Sequence, residues 1–66
     1  MYEVTNKRNI NTICTFPADT TDEVFDLVKE FSEDEKLANK ISNWCKKSAP
    51  GKTYNSKLVS VSVKII

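Results

Sequence analysis

The apolar positions of this chain change period twice. In the first part they fit a strand: Ile10, Thr12, Cys14 and Phe16 fall on one face, and Asn11, Ile13 and Thr15 on the other. In the middle they take helical spacing, with Val24, Leu27, Val28 and Phe31 at i, i+3, i+4 and i+7 and Phe25 at the margin. At the end they alternate again, Val59, Val61, Val63 and Ile65 against Ser60, Ser62 and Lys64.

Boundary residues sharpen this pattern. Tyr2–Thr5 is short and β-prone, and Asn6-Lys7-Arg8-Asn9 supplies turn residues before the run Ile10–Phe16, so a β-hairpin is expected. Pro17 is expected to end that run because it has no N–H for a ladder. Thr20-Thr21-Asp22-Glu23 has the capping-box pattern, and Ser32-Glu33-Asp34-Glu35 repeats it, which predicts a first helix and a tight junction into a second. The second helix groups Leu37, Ile41, Trp44 and Ser48, with Cys45 beside them. Lys36, Lys40, Asn43 and Lys47 form a stripe about a quarter-turn away. Pro50-Gly51 stops it.

The expected architecture is α+β, one domain over 1–66. A small antiparallel sheet, in chain order β-β-α-α-β, is covered on one face by a two-helix hairpin. The expected core is Ile10, Cys14, Phe16, Val24, Leu27, Val28, Phe31, Leu37, Ile41, Trp44, Val59, Val61 and Val63. The last strand can pair with either member of the hairpin.

Composition limits what such a fold can do. Sixty-six residues bury only about 60% of the surface the unfolded chain exposes, and ordering costs roughly 1.5 kcal/mol per residue, so dimerisation or a partner would help. A hydrophobic fraction of 39% supplies enough apolar surface for a folded chain. No run approaches the roughly 20 apolar residues of a membrane span, and Met1–Thr5 lacks signal-peptide character, so a cytoplasmic location is expected. Cys14 and Cys45, without any histidine, cannot complete a zinc site. Both are expected as buried free thiols; a disulfide between them, the alternative, would be worth roughly 3 to 4 kcal/mol.

Charge changes the picture more than composition does. Eight of the nine acids lie between Asp19 and Glu35 with only Lys29 against them, whereas Lys36–Ile66 carries seven lysines and no acid. A net charge of +1 therefore hides an acidic half and a basic half. Separated fields of opposite sign steer association and fix orientation, which points to a macromolecular partner.

Candidate chemistry is sparse. Gly51-Lys52-Thr53 resembles the end of a phosphate-binding loop, but that motif needs a glycine where Lys46 stands and a helix where a strand is expected. The clustered carboxylates lack the central glycine of a calcium loop, and nucleophilic catalysis has no evident base. No enzyme activity, cofactor or metal is expected. The lysine stripe could meet phosphates, although nucleic-acid binding usually shows a larger positive excess. Leu58–Ile66, rich in valine and isoleucine, could pair with a strand of another chain.

Two readings follow. The first is a small non-enzymatic protein-binding module, a monomer or homodimer, that modulates or inhibits a partner through its charge-segregated surface. Asp22, Glu23 and Asp26 would form one contact surface and Lys36, Lys40 and Lys47 another, with Trp44 as an anchor. The second is a dimeric DNA-binding regulator. Thr12–Phe16, Pro17 and two amphipathic helices loosely resemble, over about half the chain, the order of the ribbon-helix-helix repressors. That resemblance implies a strand shared between two chains in the major groove, with Asn11, Ile13 and Thr15 facing the bases. None of these three is an arginine or lysine.

Overall fold

The computed structural model describes residues 1–9, 12–56 and 61–66, and the side chains of Arg8, Asn9 and Thr12 are left aside. The chain forms β1 (Tyr2–Asn9), β2 (Thr12–Ala18), α1 (Thr21–Ser32), α2 (Glu35–Lys47), β3 (Thr53–Ser56) and β4 (Val61–Ile65). The strands make an antiparallel sheet in the order β2-β1-β4-β3. The fold is α+β, as the changing period predicts, with one strand more than expected. β3 has a single apolar residue, Tyr54, in four, so no alternation announces it. The expected run Leu58–Ile66 is observed over Val61–Ile65, and Leu58–Ser60, with Val59, lie outside the described residues, as does Ile10.

Register decides which side chains face the helices. Val4 pairs with Phe16 on one side and Val63 on the other, and Tyr2 with Ala18 and Ile65. Paired residues share a face, so Tyr2, Val4, Ala18, Val61, Val63, Ile65 and Tyr54 line the covered side. Val4, Ala18, Val61 and Val63 join Val24, Val28, Ala38, Ile41 and Cys45 in the core. The opposite face, with Glu3, Thr5, Thr15, Pro17, Ser62, Lys64, Thr53 and Asn55, carries no helix. There the Thr5 and Thr15 hydroxyls lie 3.1 Å apart.

Several local expectations are corrected. Asn6-Lys7-Arg8-Asn9 belongs to β1 rather than to a turn. The ladder partner β4 holds Asn6 extended through Val61, overriding its turn preference. β2 runs through Pro17 to Ala18, which an edge strand permits because one side of it needs no donors. Cys14 is half-buried and Phe16 is 40% exposed rather than in the core, because β2 lies at the sheet margin where helical cover thins.

The helix junction also differs in detail. Thr20 caps α1 as expected, its Oγ1 accepting the Glu23 N–H at 3.2 Å, while the Glu23 carboxylate accepts the Asp19 N–H at 2.9 Å. The second cap is Asp34 and not Ser32: Asp34 Oδ1 accepts the Leu37 N–H at 3.1 Å. Ser32 closes α1 instead, donating to the Val28 carbonyl at 2.6 Å. Between them Glu33 takes the left-handed conformation, φ 56°, and donates its N–H to the Lys29 carbonyl at 2.8 Å. One αL residue thus reverses the chain, the role glycine usually fills.

Candidate interaction surface

Each helix has one buried stripe and one charged stripe on opposite sides. In α1, Val24 and Val28 are buried, with Leu27 and Phe31 half-buried beside them. Asp22, Asp26 and Glu30, each four residues apart, recur on the outward side and are exposed. Glu23 borders this row, but its carboxylate is engaged at the Asp19 amide, so it serves the cap as well as the surface. Lys29, the one base of this acidic stretch, lies with Nζ 6.0 Å from the Phe25 ring centroid.

In α2 the buried residues are Ala38, Ile41, Ser42 and Cys45. Leu37, Trp44 and Ser48, expected at the centre of the apolar face, are half-buried at its flank. The rotation has a cause. Ala38 and Ser42 are small and let the two helices approach, and Ser42 Oγ donates to the Thr21 carbonyl at 3.4 Å. Lys36, Lys40, Asn43 and Lys47 are all exposed and lie opposite this buried stripe, about half a turn away rather than a quarter. Trp44 stands four residues after Lys40 and three before Lys47, so its exposed part borders the lysine row.

The hairpin places the two charged rows side by side on the outside of the molecule. Only Glu33 and Asp34 separate the helices in sequence, so they run antiparallel along one another. Phe31 of α1 packs on Phe16 of β2, centroids 5.3 Å apart, and Trp44 of α2 packs on Tyr54 of β3 at 5.4 Å. The last turn of α1 thus reaches the β2 edge and the last turns of α2 the β3 edge, while α1 also lies across β1 and β4.

Among the described residues no group of three or more histidine, cysteine, aspartate or glutamate side chains is disposed to hold a metal ion, and no buried side-chain nitrogen or oxygen lacks a hydrogen-bond partner. Both thiols are free; Cys45 is buried and Cys14 only half-buried, and burial pushes the Cys45 thiol above its ordinary value. Gly51 has φ 93° and donates its N–H to the Ile65 carbonyl at 2.7 Å, while Ile65 donates to Lys52 at 2.9 Å. The amides around Gly51-Lys52-Thr53 thus extend the sheet, consistent with a turn.

A ribbon-helix-helix arrangement implies β2 paired with its counterpart in a second chain. Here β2 pairs with β1 of its own chain from Thr12 to Ala18. No family model, curated protein or solved structure matches this chain. No helix among the described residues is long and apolar enough to cross a membrane.

Proposed function

We propose that this protein is a small non-enzymatic protein-binding module of the cytoplasm, one that modulates or inhibits a macromolecular partner by docking its helical layer. One observation carries the reading: the row Asp22, Asp26, Glu30 and the row Lys36, Lys40, Lys47 stand exposed on adjoining helices. Two parallel rows of opposite sign fix a partner's orientation, since a half-turn about the axis normal to the layer would bring like charges together. Trp44, bordering the lysine row, supplies the apolar component.

The test is to capture a partner on the immobilised protein, identify it, and measure association with two double variants, Asp22→Lys/Asp26→Lys and Lys36→Glu/Lys40→Glu. Association slowed about 10-fold or more at low salt, with dissociation less affected, is expected. Unchanged rates for both variants would overturn the reading. Duplex DNA is the control probe, and tight binding to it with a steep salt dependence would favour the DNA-binding alternative instead.

A further inference from the structure

Trp44 of α2 and Tyr54 of β3 meet edge-on at 5.4 Å, yet each ring is only half-buried. Both pack against the margin of the buried cluster rather than within it. The seam between α2 and β3 therefore presents two adjoining aromatic surfaces to solvent.

Lysines bracket those rings. Lys40 lies four residues before Trp44 and Lys47 three after, so both adjoin the indole on the helix surface. Lys52 lies two residues before Tyr54, and its carbonyl accepts the Ile65 N–H at 2.9 Å. The chain already runs alongside β4 at that point, so the Lys52 side chain leaves the sheet on the Tyr54 side. All three lysines are exposed.

Acids are kept away from this seam. None occurs from Lys36 to Ile66, so neither α2 beyond its first residue nor β3 supplies a counter-charge. Ser42, whose Oγ donates to the Thr21 carbonyl, marks the side of α2 that faces α1. Trp44 follows two residues later, about 200° further round the helix. The body of α2 thus stands between the seam and the acidic row of α1.

Aromatic faces set among cations match a ligand with repeated anionic groups and accessible flat rings. An acidic peptide brings the charge without a ring at each step, and a duplex keeps its rings inside the stack. We infer that the α2–β3 seam binds single-stranded nucleic acid, with Trp44 and Tyr54 taking its bases and Lys40, Lys47 and Lys52 its phosphates. The site shares Lys40, Lys47 and Trp44 with the docking surface but makes no use of the acidic row.

Trp44 is the only tryptophan of the chain, so its fluorescence reports on the site directly. Titration of the full chain with oligodeoxythymidine or oligouridine of about 10 nucleotides should quench it, and the tighter strand names the sugar. With three phosphates neutralised, affinity should fall roughly 20-fold between about 50 and 200 mM salt. Anisotropy of a labelled strand then compares variants, each checked for retained helix by circular dichroism. Trp44→Leu should weaken binding about 10-fold or more, and Trp44→Phe should restore part of the loss. Lys47→Gln and Lys52→Gln should each flatten the salt dependence, whereas Lys64→Gln, an equal loss of charge on the opposite face of the sheet, should leave it unchanged. Absence of quenching by either strand, equal quenching by polyglutamate or by a duplex, or an equal effect of Lys64→Gln would each overturn the inference. If single strands fail while a captured protein still depends on Asp22 and Asp26, this site falls and the docking reading stands.

Discussion

The Trp44 ring meets the Tyr54 ring edge-on, with centroids 5.4 Å apart and planes inclined at 65°. This contact joins the second helix to an edge strand whose one hydrogen-bonded neighbour in the sheet is β4. Aromatic pairs in this geometry contribute about 0.5 to 1.5 kcal/mol beyond the area they bury. A double-mutant cycle of Trp44→Leu and Tyr54→Leu, read by urea denaturation, should give a coupling of about 1 kcal/mol. Additive losses would show that the two rings do not act as a pair.

Ile41 of α2 is fully buried in the core. Removing its side chain beyond Cβ costs roughly 2 to 5 kcal/mol in cores of this kind, whereas a domain below 70 residues seldom has more than about 3 to 5 kcal/mol in hand. Ile41→Ala should therefore be largely unfolded at room temperature by circular dichroism. Ile41→Val should lose about 1 kcal/mol and remain folded.

The helix junction makes opposite predictions at adjacent residues. Glu33 bears a side chain in a conformation that costs L-residues roughly 1 to 2 kcal/mol, so Glu33→Gly should raise stability, by up to about 1 kcal/mol after the entropy of glycine is counted. Asp34→Ala should lower it by about 1 kcal/mol through loss of the bond to the Leu37 N–H, and Asp34→Asn should retain most of that bond's effect. Denaturation midpoints measured at constant salt distinguish the three.

The two thiols should behave differently. Burial raises the Cys45 thiol above its ordinary value of 9.0, so the folded state keeps this proton longer than the unfolded chain does. Its contribution to stability is complete below pH 9.0 and is lost as pH rises through the higher folded-state value. Between pH 9.0 and that value the unmodified protein should lose stability more steeply than Cys45→Ala. A thiol reagent added at neutral pH should label Cys14 before Cys45, because only Cys14 is part-exposed.

What the residue pattern revealed depended on how many apolar positions each element contributes. α1 declares itself through four apolar residues and a cap, and β4 through strict alternation. The face of α2 was misplaced by a fraction of a turn because Ala38 and Ser42 carry little hydrophobicity, yet their smallness is what admits the neighbouring helix. β3 was illegible for a related reason: it is held by register with β4, Tyr54 opposite Val63, and not by its own composition. Val4, fully buried between Phe16 and Val63, lies in Tyr2–Thr5, a run that reads as β-prone but is too short for alternation to mark its inward face.

The candidate surface was legible to a different depth. Sorting of charge along the chain was visible at once, and Asp22, Asp26, Lys36, Lys40 and Lys47 do stand exposed. Their adjacency was not visible, since it depends on the Glu33 reversal that folds one helix back along the other.

The central place of β1 and β4 bears on how the protein folds. Tyr2 stands opposite Ile65, and the Ile66 N–H reaches the Met1 carbonyl at 3.0 Å. The middle of the sheet thus joins strands remote in sequence, with Val4 and Val63, its fully buried pair, 59 positions apart (63 − 4). Closing so long a loop costs entropy before any contact between these strands offsets it, so Val4 stays uncovered until β4 has docked and the sheet is completed late in folding.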